Sequence, residues 1–231
     1  MPRYTAVLQF LRQWAYVLLV AGLLLCFGAI AQEVADGEPI ASDRWILLAL
    51  RQAADPALPV GPRWLPEAAR DVTALGSIVV LGIVLLVVTL YLFISGKRHT
   101  AWFVLATVLA GATLNSLLKL AFARPRPDLV TPLTKVITLS FPSGHAALSA
   151  VCYLTLGALL AQVHTSRAIR IHFIATAIGL TLLVGLSRVY LGVHYPTDVL
   201  AGWCIGSAWA LICWSAMSYL QRSGTVEPPE R

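Results

Sequence analysis

The sequence predicts an all-α integral membrane bundle of six transmembrane helices, with N and C termini in the cytoplasm. Three observations carry this. The chain has 231 residues, 58% of them hydrophobic, and a mean hydropathy of +0.76, more than a soluble domain sustains. Its apolar residues gather into long runs, which lipid accepts only as helices or closed barrels, and these runs are too continuous for barrel strands. Its basic residues fall at alternate ends of those runs.

The first run, Ala15–Ala31, follows Arg3 and Arg12 and resembles a signal peptide. The residues after it, QEVADGEP, lack a small-residue cleavage site, so it reads as a retained helix. Gln32–Asp71 is the longest stretch without a span and holds every acid before residue 72. Within it, DRWILLALRQAA is apolar from Trp45 to Leu50, with Arg44 and Arg51 on one helical face. That pattern reads as a short helix in the outer interface, packed over the bundle. The second and third spans are Val72–Ser95 and Ala101–Leu118. Ala146–Val163 is the fourth, and Phe173–Leu186, extendable through Tyr190, is the fifth and shortest. Thr197–Leu220 is the sixth. Residues 1–221 form one membrane domain, with 32–71 as an outer interfacial segment, and 222–231 form a solvated tail.

Charge orients the bundle. Arg3 and Arg12, Lys97 and Arg98, Arg167 and Arg170, and Arg222 all fall on one side, which the positive-inside rule makes cytoplasmic. Lys119, Arg124, Arg126, Lys135 and Arg188 are exceptions on the outer side. Between Val72 and Gln221 the only acids are Asp128 and Asp198, so these five cations are expected to be mostly unpaired. A single one could snorkel to headgroups. Five together, with two histidines, read as a functional site. Cys26, Cys152, Cys204 and Cys213 all lie in apolar runs without metal spacing or a disulfide framework, and read as small core residues.

Three clusters meet at that outer side. In KLAFARPRP, Lys119 and Arg126 are seven residues apart, and Pro125 and Pro127 force an extended exit from the helix. The two cations can converge on one anion, Arg as a fork and Lys as a point charge. In PSGH, Ser143 is a good N-cap and Gly144 lets an anion approach the backbone. The helix start that follows is a ready phosphate cradle. His145 alone reads more often as an interfacial or structural histidine than as a catalyst. In SRVYLGVHYPTD, Arg188 ends the fifth span, and His194 and Asp198 lie about one turn apart if Pro196 opens the sixth. A carboxylate there can hold one imidazole nitrogen and free the other as nucleophile or base, although such a pair is often only structural. His99, His164 and His172 fall on the cytoplasmic side. The composite is an anion site with an acid–base histidine pair.

Those residues resemble the type 2 phosphatidic acid phosphatase superfamily of membrane lipid phosphatases. Its signature is Lys, six residues, Arg-Pro; Pro-Ser-Gly-His; and Ser-Arg, five residues, His, three residues, Asp. Lys119 to Arg126-Pro127, Pro142 to His145, and Ser187-Arg188 to Asp198 match it without departure. The resemblance spans 119–198. It implies that His194 is the nucleophile that forms a phosphohistidine, that Asp198 orients it, and that His145 protonates the leaving oxygen and later activates water. It further implies that Lys119, Arg126, Arg188, Ser143 and Gly144 hold the phosphoryl oxygens.

The resemblance makes the expected function metal-independent hydrolysis of a lipid phosphate or diphosphate, with no cofactor and no metal. Undecaprenyl diphosphate, phosphatidylglycerol phosphate and phosphatidic acid are all candidate substrates, with undecaprenyl diphosphate or a broad specificity favoured. The expected partners are that lipid and the surrounding membrane lipids, without nucleic acid, and the expected location is a bacterial inner membrane with the site facing the periplasm. A lipid phosphotransferase would use the same site. A transporter with a midplane anion site fits less well, because the clusters share one face and no paired broken helices occur. Vanadate-dependent haloperoxidases share the anion site, but a small membrane chain argues against that chemistry.

Overall fold

The computed structural model of the protein describes residues 2–37 and 40–228, with side chains from residue 13 onward. The side chains of Arg3 and Arg12, residue Glu38 and the last three residues of the expected tail lie outside that description. The elements in order are α1 (Pro2–Ala35), α2 (Ala41–Ala49), β1 (Arg51–Gln52), β2 (Asp55–Pro59), α3 (Leu65–Ala74), α4 (Ile78–Ile94), α5 (Arg98–Phe122), α6 (Gly144–Val163), α7 (Arg167–Tyr190) and α8 (Pro196–Arg222).

Among the described residues five helices, α1, α5, α6, α7 and α8, are long and apolar enough to span, and α3 with α4 forms a sixth candidate bent by 43°. The expected second span, Val72–Ser95, is thus broken. Ser77 caps α4, its hydroxyl accepting from the Val80 N–H at 3.2 Å, and this restarts the helix. α4 alone has 17 residues, about 25 Å of rise against a hydrocarbon core of about 30 Å. The fifth span is longer than its most apolar stretch and runs from Arg167 to Tyr190.

The 32–71 segment departs from the expectation in two ways. An antiparallel hairpin, β1 with β2, follows α2. Arg51 therefore lies past the helix, buried rather than on a face shared with Arg44. Its Nη1 donates to the carbonyls of Leu50 and Tyr190 at 3.1 and 3.0 Å. α2 packs over the bundle as expected. Leu47 is fully buried in a cluster with Val130, Ala146, Val189 and Val199, while Trp45 faces outward.

α6 sits at the centre, against α5, α7 and α8. Lipid tails are as apolar as leucine, so close packing rather than water exclusion holds such helices together. The α6–α8 seam shows this through Gly202 and Gly206. A Cβ at Gly202 would lie 2.7 Å from the Ser143 carbonyl oxygen, and one at Gly206 2.5 Å from that of Ala147. Bare backbone at these positions lets the two helix starts touch, and the Ser143 N–H donates to the Asp198 carbonyl at 2.9 Å. The C-terminal ends of α5 and α7 and the N-terminal ends of α6 and α8 meet at the same end of the bundle, bringing the three sequence clusters together.

Candidate active site

α5 does not carry Lys119 and Arg126 on one continuous face. It stops at Phe122, where Ala123 takes a left-handed conformation (φ 45°) and its N–H closes the last turn on the Lys119 carbonyl at 2.9 Å. Pro125 and Pro127 then keep the chain extended. The two cations still converge. Lys119 Nζ donates to the Leu139 carbonyl at 2.6 Å and to that of Ser140 at 3.3 Å. Arg126 donates from Nη2 to the same Leu139 carbonyl at 3.4 Å and from Nε to the Thr138 carbonyl at 2.6 Å. Burial lowers the Arg126 pKa and the charge of Asp198 opposes that shift.

Clefts flank this pair. One of about 440 Å³ is lined by Ser116, Lys119, Leu120, Arg124, Arg126 and Ile137. Another of about 500 Å³ lies between Arg126, Lys135, Gly192 and Val193. Ile137 borders both and is fully exposed. Lys135 is exposed where it borders the second cleft.

Ser143 has the extended backbone of an N-cap (φ −66°, ψ 115°), but its hydroxyl makes no capping bond. Its carbonyl accepts from Ala147 N at 2.9 Å. The Ser143 Oγ is buried without a hydrogen-bond partner among the described residues, a costly state that an anion's oxygen would relieve. Gly144 faces Asn115 and Lys119: a Cβ at this position would lie 3.3 Å from Asn115 Nδ2 and 3.6 Å from Lys119 Cε. His145 is half-buried and within electrostatic reach of Arg188, His194, Arg126 and Lys119.

His194 is 1% exposed, and Pro196 opens α8 as its spacing predicts. Its Nδ1 lies 3.4 Å from Asp198 Oδ2, and its Nε2 lies 3.3 Å from Arg126 Nη1. A guanidinium only donates, so Nε2 is the acceptor and Nδ1 carries the proton. Burial holds the His194 pKa down to about 3, against the raising effect of Asp198, and Arg126 and Arg188 lower it further. Arg188 is buried, with Nη1 donating to Thr73 Oγ1 at 3.0 Å and Nε unpartnered among the described residues. Asp198 also completes a capping box with Tyr195, whose N–H donates to Oδ2 at 2.9 Å.

All eight sequence candidates thus lie in one site. Four partners escape sequence reasoning. Arg124 is not unpaired: it donates to Asp198 Oδ1 at 2.6 Å and to Asp43 Oδ2 at 2.9 Å. Ser140 donates to Asp198 Oδ2 at 2.5 Å. Thr73 and Asp43 come from α3 and α2. The buried placement of an acid in a segment that reads as interfacial has no local signal.

Among the described residues, no three His, Cys, Asp or Glu side chains group so as to hold a metal. The chain also matches known proteins. Phosphatidylglycerophosphatase B of Bacillus subtilis is 33% identical over 145 residues, 62% of this chain and 70% of that protein. Undecaprenyl-diphosphatase of Sulfolobus acidocaldarius is 36% identical over 110 residues, 46% of this chain and 47% of that protein, so the chain spans about half of it. The crystal structure of the transmembrane phosphatidylglycerolphosphate phosphatase from Bacillus subtilis matches with a TM-score of 0.77 at 28% identity, covering 88% of this chain and 98% of that one. The sequence pattern of the PAP2 superfamily matches residues 99–222, the stretch from α5 to α8 that builds the site. With its three clusters complete and folded to one end of the bundle, the chain belongs to the PAP2 superfamily.

Proposed function

We propose that the protein hydrolyses a lipid phosphate or diphosphate without a metal, through a phosphohistidine on His194. The observation that supports this most is the buried His194–Asp198 pair whose Nε2, the unprotonated nitrogen, faces Arg126. Nε2 attacks phosphorus, the P–O bond to the leaving group breaks, and His145 gives that oxygen a proton. His145 then takes a proton from water, water attacks the phosphohistidine, and inorganic phosphate leaves with His194 restored. Asp198 holds the Nδ1 proton throughout.

Lys119 and Arg126 now donate to main-chain carbonyls. A phosphate dianion makes stronger, charge-assisted bonds, so it displaces the carbonyls and draws Arg126 off Nε2. The unpartnered Ser143 hydroxyl and the α6 N-terminus supply further donors, and Arg188 adds charge. Fixed positive charge of this kind stabilises the phosphoryl transition state. Phosphatidylglycerol phosphate is the first substrate to test, given the similarity to phosphatidylglycerophosphatase B, followed by undecaprenyl diphosphate and phosphatidic acid. The site faces outward from a bacterial inner membrane, by the cation distribution. A cysteine at exposed Thr131 then reacts with an impermeant thiol reagent in spheroplasts, and one at exposed Thr165 does not.

Purified protein in mixed micelles should release phosphate from at least one of these lipids with EDTA present. His194→Ala should lose about 10⁴-fold or more. His145→Ala should slow the phosphoenzyme burst more for phosphatidic acid, whose alkoxide needs a proton, than for p-nitrophenyl phosphate. Turnover by His194→Ala, or activity lost on chelation and restored by magnesium, would overturn the mechanism.

A further inference from the structure

We infer that Asp43, in the outer helix α2 and outside the 99–222 family match, is a positioning residue for His194 that acts through Arg124, Thr197 and Asp198. The inference rests on the phosphatase reading above.

Asp43 is 1% exposed, and Asp198 is fully buried. The Arg124 guanidinium bridges them: Nη2 donates to Asp43 Oδ2 at 2.9 Å and Nη1 to Asp198 Oδ1 at 2.6 Å. Thr197 closes a ring. Its N–H donates to Asp43 Oδ1 at 2.9 Å, its hydroxyl donates to Asp43 Oδ2 at 2.6 Å, and that hydroxyl accepts from Arg124 Nη1 at 2.9 Å. The guanidinium also lies over the Tyr195 ring, 4.1 Å from its centroid.

Two consequences follow for His194. Thr197 is in the first turn of α8, so Asp43 caps that helix start from a distant part of the chain and sets where Asp198 stands. Without Asp43, one fork of a mostly buried guanidinium would lose its counter-charge, and the whole cation would pull on Asp198. Asp198 Oδ1 would be drawn toward Arg124 and Oδ2 away from an Nδ1 already 3.4 Å distant. Lysine cannot substitute, because a point charge does not hold two carboxylates in a plane. The outer segment is in this way a working part of the site.

The test uses single-turnover phosphoenzyme formation and steady-state kinetics on the full chain in micelles. Asp43→Asn and Thr197→Val should each lower kcat and the burst rate about 10-fold or more with KM within about two-fold. Thr197→Ser, which keeps the hydroxyl, should stay within about two-fold of wild type. In an Asp198→Asn background, Asp43→Asn and Thr197→Val should each add less than about two-fold, because the residue they act through is gone. Full additivity in that background, a raised KM at constant kcat, or equal losses in Thr197→Ser and Thr197→Val would overturn the inference. Should Asp43→Asn fail to fold, the Thr197 pair decides alone. Failure of the underlying reading is separate: it would show as turnover by His194→Ala, or as none by wild type.

Discussion

The hydroxyl of Ser140 donates to Asp198 Oδ2 across 2.5 Å, with both side chains fully buried. Ser140 also ties the clusters together. Its N–H donates to the Arg124 carbonyl at 2.9 Å, and its own carbonyl accepts from Lys119 Nζ at 3.3 Å. One residue ahead of the Phe-Pro-Ser-Gly-His stretch thus touches the carboxylate that also faces His194 Nδ1.

Replacing Ser140 by alanine leaves Asp198, which is fully buried, short of its shortest hydrogen bond. The expected cost is about 1–3 kcal/mol in stability. The expected kinetic effect is about a 10-fold fall in kcat with little change in KM, since the Ser140 hydroxyl is committed to Asp198. Thermal unfolding and steady-state kinetics of Ser140→Ala check both. Wild-type kcat in a well-folded variant would refute the orienting role.

Gly202→Ala places a methyl 2.7 Å from the Ser143 carbonyl oxygen, well inside contact distance. The start of α6 must retreat from α8, carrying Ser143 and His145 away from Asp198. A shift of about 1 Å at a catalytic group costs on the order of 10²-fold. Ala208→Gly, at another buried position on α8, controls for altered helix propensity and should keep far more activity. Equal activity in the two variants would show that the seam does not set the site.

His194 should remain neutral across the working range. Burial holds its pKa near 3, below the usual value of about 6.5. A histidine depressed in the fold contributes its full stability above about 6.5 and loses it as pH falls below that, because the unfolded chain then binds the proton more readily. At pH 5 the loss is about 2 kcal/mol. The melting temperature of wild type should therefore drop more between pH 7.5 and pH 5 than that of His194→Gln. Parallel curves would mean that His194 titrates normally in the fold.

The tail locks α5 at the opposite end. Glu227 accepts from the N–H groups of His99 and Thr100 at 3.0 and 2.9 Å and from Thr100 Oγ1 at 3.0 Å. Burial alone would raise its pKa, but these donors and His99 bring it down to about 2. A carboxylate depressed in this way stabilises above its ordinary value and stops doing so as pH falls toward 2. Glu227→Gln should cost about 1 kcal/mol at pH 7 with catalysis unaffected, and its gap from wild type should close at low pH. No melting difference at pH 7 would show that the cap is idle.

Much of this protein is determined by sequence alone. Long apolar runs must be helices in lipid, so the spans are readable wherever the runs are continuous, as in α5, α6 and α8. Pro125, Pro127 and Pro196 mark the breaks, because proline lacks an N–H. The signature residues Lys119, Arg126, Ser143, Gly144, His145, Arg188, His194 and Asp198 are readable as one site because alternating spans return their clusters to one face. The broken second span is not readable, since Ser77 is a small polar residue inside an otherwise apolar run and only its geometry makes it a cap.

Only the tertiary structure decides what surrounds Asp198. Asp43 and Arg124 are far apart in the chain and have no periodic relation, so no local pattern links them. Counting acids between Val72 and Gln221 leaves Arg124 unpaired, because its partner Asp43 lies upstream of that stretch, in the segment read as interfacial. Ser140 carries no charge and no motif, yet its hydroxyl makes the shorter bond to Asp198. Residue type and spacing specify which chemistry is available. The distances that couple those groups depend on how closely α6 and α8 approach and where α2 packs, which is a property of the assembled fold.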